Sequence, residues 1–505
     1  MGLNGLLIIF AQSFPRRFSL FKAQAGGRAW LLWVCAGLLA AAAIHVLPLP
    51  VAIPIVLIAP CLILIPLTPL TMLAVLLVLS PLRALIATEA SAVFPYDIGQ
   101  ILLALYLGAW LVFHIVRGWP RLRLFPGPVF LSVLSICLVF SIGAWRGAFF
   151  GNWLTEWLKW AVIVIMVWHL SQTAASSWPW LVYAVLLGAV ANALVGLYIF
   201  FGGSGADHLA ILGRFFRAFG TFGQPNPFGG FMGIALPIVL ALGLCQVERA
   251  LAAIRRGAGV NRRLVFMLAA TALCCALILA ALFASWSRGA WLGFCASLAV
   301  MLVAWPRRLL NGVAIALVAI FIVAAAWSAG LLPSSIVNRL TTAATDLFTV
   351  SDVRGIHFHP GNYAVIERLA HWQAAGNMAD HNPFFGVGLG NYAEAYERYR
   401  LINWEAPLGH AHNHYLNILA ETGIVGLIAY VGFWLCIFRL TWAARQHPDR
   451  LARCVAIGLL GCWTYISVHS VFDNLYVNNL FLHIGVLLSV LAILHRQTTG
   501  ALELE

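Results

Sequence analysis

The sequence predicts an all-α polytopic membrane protein, with about 12–14 transmembrane helices and one large external loop containing short helices of its own. Three observations carry that expectation. The 505 residues are 62% hydrophobic and 9% charged, with a mean hydropathy of +0.92, far from the balance of a soluble domain. Apolar runs of about 18 residues or more recur along the chain, each able to cross roughly 30 Å of hydrocarbon. The runs are continuous, whereas the strands of an outer-membrane barrel would alternate apolar and polar residues.

Residues 1–28 hold Arg16, Arg17, Lys22 and Arg28 with no small-residue cleavage site behind a short apolar core, and read as a cytoplasmic lead-in. Residues 29–329 carry the first eleven spans, at about 30–47, 50–66, 69–84, 97–116, 128–145, 154–171, 177–201, 228–246, 264–284, 288–304 and 309–329. Residues 330–412 form the external loop, and residues 413–495 carry three more spans, at about 413–438, 454–471 and 479–494. Residues 496–505 are a cytoplasmic tail.

Charge sets the orientation. The net charge of +13 falls in loops that a cytoplasmic N-terminus places inside: Arg117, Arg121 and Arg123; Arg249, Arg255, Arg256, Arg262 and Arg263; Arg307 and Arg308; Arg439, Arg445, Arg450 and Arg453; and Arg496. That is the positive-inside pattern, with both termini cytoplasmic. It gives the basic residues a use other than nucleic acid. The ten cysteines lie in or beside apolar runs without metal-ligand spacing, so neither a disulfide nor zinc is expected.

The long loop is too polar and too long to be a mere connection. Within it, about 362–381 reads as an amphipathic helix with Val365, Leu369, Trp372 and Ala375 or Gly376 on one face. Asn382-Pro383 and Gly386, Gly388 and Gly390 break the chain, and a short helix is expected at about 391–400.

Several polar residues do not fit a bland bundle. Arg214 and Arg217 precede the eighth span, Arg288 lies between the ninth and tenth, and Arg368 is on the loop helix; the threading puts all four outside. Planar guanidinium groups take phosphate oxygens in pairs, so such a group near one membrane face suits a pyrophosphate without a metal. The plain readings stand beside this one. Arg214 snorkels, Arg368 pairs with Glu367 or Asp380, and Lys159 neutralises Glu156. Gly220, Gly223, Pro225 and Pro227 shape an unwound start to the eighth span, which is tolerated where it lines a cavity. His412 is a base or proton relay at the lip of a span, or else it helps Asn413 cap the helix. His410, His412 and His414 alternate, which suits a strand more than a helix face, and no carboxylate but Glu405 or Glu421 accompanies them at ligand spacing, so no metal is expected. His469 and Asp473 form a second polar cluster, in which the carboxylate would orient an imidazole.

From His412 the chain reads Asn413, nine residues, Gly423, two residues, Gly426. This run resembles the C-terminal signature of the O-antigen ligase family (WaaL), shared in looser form by O-antigen polymerases (Wzy). The stretches Arg217 to Pro227, Ser287 to Trp291, Arg368 to Gly390 and His469 to Asn474 resemble the family as well, so the likeness covers about 180–480. It implies a GT-C-like membrane glycosyltransferase of the inner membrane, needing no metal or other cofactor. Its donor would be a glycan on undecaprenyl pyrophosphate, its acceptor lipid A-core or another glycan, its surroundings membrane lipid, with no nucleic acid involved. By motif position, Arg217 and Arg288 match arginines associated with the donor pyrophosphate, Arg368 a loop arginine closing over it, and His412 the essential histidine. Leu427-Ile428 stand where ligases often have Thr-Thr, and fourteen spans exceed the usual dozen. Ligase and polymerase both remain open, and a transporter of lipid-linked sugars is the alternative from another class.

Overall fold

The computed structural model describes residues 69–82, 122–203, 207–257, 259–331, 352–356 and 362–502, with isolated positions between 103 and 118 and between 334 and 341. The lead-in, the spans expected at about 30–47 and 50–66 and most of the span at about 97–116 lie outside these residues. The chain forms two compact units, Met1–Leu76 with Ile86–Trp119 and Leu77–Leu85 with Pro120–Glu505. The second holds nearly all of the described helices.

Helix α1 is Pro69–Leu79. Then come α2 Pro128–Ile142, α3 Phe150–Thr173, α4 Trp178–Tyr198, α5 Pro225–Arg255, α6 Arg262–Ala284, α7 Arg288–Ala304 and α8 Leu309–Ser328. The loop helices are α9 Tyr363–His381 and α10 Tyr392–Tyr399, and α11 His414–Ala444, α12 Arg450–His469 and α13 Leu480–Leu502 close the chain. A two-residue hairpin, β1 Ala210–Ile211 with β2 Phe215–Phe216, lies between α4 and α5. Among the described residues, eight helices are long and apolar enough to cross a membrane. The all-helical polytopic class expected from hydropathy is the one observed.

Helices α5, α12 and α13 are enclosed, while α6 and α8 turn most of their side chains outward. Lipid tails are as apolar as leucine, so small residues that let backbones approach must do much of the packing. On α12 they do. A Cβ on Gly461 would stand 2.8 Å from Pro237 Cβ of α5 and 2.8 Å from Ser297 Oγ of α7. Below that contact Ala241, Met301, Ala304, Ile457 and Leu460 join the three helices in one core.

The ends of the helices differ in character. At one end Arg445 donates to Ala304 O, Arg453 donates to Trp305 O, and Trp305 Nε1 donates to Glu248 Oε1 at 2.9 Å. The other end carries the starts of α5, α7 and α11 and the finish of α12, and there the loop helices dock.

Helix α9 buries more than the single face its periodicity suggested. One side packs Val365, Ile366, Leu369 and Ala370 on Val353 and Trp404. The other packs Ala374, Ala375 and Met378 on Tyr392 and Tyr396 of α10 and on Ala411 and Ala420. A helix held between the loop and the bundle has two dry faces, and a one-stripe reading finds only one.

Candidate active site

Two sharp turns bring the arginines together. Gly220 and Gly223 have φ of +53° and +71°, and the chain between them is pinned where the Thr221 hydroxyl donates to Pro81 O at 2.9 Å. Helix α5 then starts at Pro225, a position where a missing N–H costs nothing. The α6–α7 turn is held by Ser285 Oγ donating to Leu282 O and by Trp286 at φ +54°. Arg217 spans the two turns, its Nε donating to Ser285 O at 3.1 Å and its Nη2 to Asn226 Oδ1 at 3.3 Å. Burial, with the positive charges of Arg368 and Arg288 beside it, pulls the Arg217 pKa down to about 10 against the opposing pull of Asp473. Three arginines from three separate stretches therefore share one electrostatic site. Nε of Arg368 is buried and meets no hydrogen-bond partner among the described residues, while its Nη1 donates to Ala364 O at 3.2 Å. Arg214 is placed differently, its guanidinium 4.7 Å from the centre of the Phe215 ring.

The histidines converge on Asp473. His412 Nδ1 is 3.5 Å and His410 Nε2 is 3.8 Å from Asp473 Oδ1, and Asn474 N–H donates to the same oxygen at 2.8 Å. Burial pushes the Asp473 pKa up, but the His412 hydrogen bond and the charges of His410, His412 and Arg368 prevail and hold it well below the usual carboxylate range. The His412–Asp473 contact is long for a hydrogen bond, a common state for catalytic pairs before substrate is bound. The His412 backbone is left-handed, at φ +51°, a conformation that costs a residue with a Cβ and must be held from outside. Ala411 N–H donates to Asn417 Oδ1, His412 N–H to His410 Nδ1 and His414 N–H to Ser470 O. Asn413 spends its side-chain oxygen on Leu416 N–H, capping α11. His414 turns away and stacks on Tyr476 at 4.7 Å between centroids.

His469 ends α12 with Nδ1 2.9 Å from Tyr465 Oη, which itself donates to Gly229 O at 2.7 Å. A Cβ on Gly289 would come within 2.7 Å of the His469 ring, so the glycine after Arg288 lets α7 close on α12. Lys159 pairs with Glu156 at 2.6 Å and donates to Tyr476 O.

One residue was missed by the sequence reading. His371, on α9, is 1% exposed, and its ring stands edge-to-face with His412 at 5.9 Å between centroids. Burial, then the neighbouring His412 and His410, hold its pKa down to about 4. Its i+3 spacing from Arg368 put it on the same helix surface, but nothing local distinguished it from an ordinary loop histidine.

His410, His412 and Asp473 offer ligand atoms within 4.8 Å of one another, a spacing that a metal ion fits. Arg368 adds its positive charge to the surroundings of Asp473 and His410.

The two signature glycines have a physical reason. Gly423 interrupts α11 with φ +66° and ψ −167°, a region essentially closed to other residues. Into the break fits the loop after α9: Ile424 N–H donates to Pro383 O, Val387 N–H to Ala420 O and Gly388 N–H to Glu421 O. A Cβ on Gly423 would lie 2.2 Å from the Phe384 carbonyl carbon, and one on Gly426 would lie 1.9 Å from Thr422 Oγ1. Gly423→Ala is expected to cost at least about 2 kcal/mol and to expose residues 383–390 to protease. Limited proteolysis in detergent checks this, and a wild-type cleavage pattern would show that the loop does not depend on the break.

The stretch from α6 to α11 that carries Arg288, Arg368, His371, His412 and both glycines is also the part that compares with known proteins. Residues 273–431 match the family model Wzy_C, O-Antigen ligase. This segment is a Wzy_C domain. No curated protein matches the chain. The Wzy_C match covers 159 of the 505 residues and is to a family described as O-antigen ligase. The matched residues leave out Arg217, His469 and Asp473, which the fold brings to the same cluster from either side.

Proposed function

We propose that the protein transfers a glycan from undecaprenyl pyrophosphate to a sugar hydroxyl of lipid A-core or a similar acceptor, with inversion and without a metal. The observation that carries this reading is the meeting of Arg217, Arg288 and Arg368 with the Asp473-linked His412 at one end of the bundle. The arginines suit the pyrophosphate, whose charge grows as it leaves. His412, with Nδ1 toward Asp473, presents Nε2 as the base. The acceptor oxygen bonds to the anomeric carbon as the bond from that carbon to the phosphate oxygen breaks. The acceptor proton goes to His412, and the bonding pair leaves on undecaprenyl pyrophosphate. Arg445 and Arg453 lie at the opposite end of the helices, which supports a periplasmic site, cytoplasmic termini and an inner-membrane location.

The test is to incubate purified protein, in EDTA, with lipid-linked donor and either lipid A-core or a second lipid-linked glycan. Capped core supports the ligase reading, and a lengthening ladder would replace it with a polymerase. Loss of activity in EDTA, restored by a divalent ion, would move His410, His412 and Asp473 to a metal site.

A further inference from the structure

His371 is committed on one side only. Tyr392 Oη donates to the His371 carbonyl at 3.2 Å and also lies 3.0 Å from His371 Nδ1. A phenol has one proton to give, so both contacts are satisfied only when Nδ1 carries the imidazole proton and donates to the phenol oxygen. Tyr396 stacks on the ring at 4.8 Å and 18°, fixing its plane. The outcome is a buried, neutral imidazole whose Nε2 accepts no hydrogen bond among the described residues, in edge-to-face contact with His412.

Such a nitrogen has a definite chemical preference. A phosphate offers only acceptors, and its oxygens would oppose the Nε2 lone pair. A sugar hydroxyl offers a proton. The site therefore divides, with guanidinium donors for the anion on one part and imidazole acceptors for hydroxyls on the other. We infer that His371 reads the acceptor, its Nε2 taking a hydrogen bond from a second hydroxyl of the sugar whose first hydroxyl is deprotonated at His412. This rests on the glycosyl-transfer reading above and adds a specificity-determining residue to it. Tyr392 and Tyr396 are the positioning residues that fix tautomer and plane.

The experiment compares His371→Ala, His371→Gln and His371→Asn in the same transfer assay, with lipid A-core and lipid-linked glycan each offered as acceptor. The amide of glutamine falls near the Nε2 position, and that of asparagine near Nδ1. His371→Ala is expected to raise the acceptor KM about tenfold, the equivalent of one hydrogen bond at about 1.4 kcal/mol per decade, with the donor KM unchanged. His371→Gln recovers most of the loss and His371→Asn does not. Recovery by asparagine alone would reduce His371 to a strut for Tyr392 and overturn the inference. A rise in donor KM instead, or an unchanged acceptor KM in all three variants, would overturn it too. Should wild-type protein transfer to neither acceptor, the glycosyl-transfer reading itself falls, an outcome distinct from the others.

Discussion

Arg288→Ala is expected to lower glycan transfer about a thousandfold, the scale on which a preorganised group facing developing charge acts in a water-poor site. Arg288 opens α7 beside the turn that also holds Arg217, and Arg217 feels its positive charge, so the two are expected to act on one anion. Alanine suits the first turn of a helix, so insertion and folding are expected to survive. Arg288→Lys keeps the charge but loses the planar fork, and falls between wild type and alanine. Binding of undecaprenyl pyrophosphate in detergent weakens in the same order. Transfer at the wild-type rate by Arg288→Ala would remove the pyrophosphate clamp from the mechanism.

Replacing His412 has the second large effect, and the backbone decides which substitution reports on it. At φ +51° alanine adds strain to the loss of the imidazole, whereas asparagine tolerates the left-handed region. His412→Asn is expected to lower transfer by about 10²–10⁴ and to leave donor affinity unchanged, since the arginines are untouched. A parallel loss of donor binding would show that His412 holds the pyrophosphate and does not activate the acceptor. Asp473→Asn, which keeps shape but removes the charge beside His412 and His410, should show a smaller effect of the same kind.

Much of the bundle was legible because membrane spans are local facts. A run such as 309–329 announces a helix by composition alone, and α8 is Leu309–Ser328. The loop helices were legible from period and from Asn382-Pro383, which gives α9 its end at His381. The arginines and His412 could be singled out because charge at the lip of apolar runs, away from the dense basic loops, calls for a use. What stayed hidden is contact between distant segments. That Arg217 reaches Ser285 across 68 positions follows from the packing of α5 and α7 on α12, which no window sees. His371 stayed hidden for the same reason. Its partners Tyr392 and His412 lie on other elements, and only the folding of α9 and α10 onto α11 gathers the three.

The most direct measurement counts products. Purified protein in EDTA is given donor and acceptor, and undecaprenyl pyrophosphate release is followed beside glycoside formation by mass spectrometry. One undecaprenyl pyrophosphate is expected to be released for each new glycosidic bond, with both lost in Arg288→Ala and His412→Asn. Intact donor moved across a vesicle membrane with no new bond would contradict it and make the protein a carrier of lipid-linked sugars.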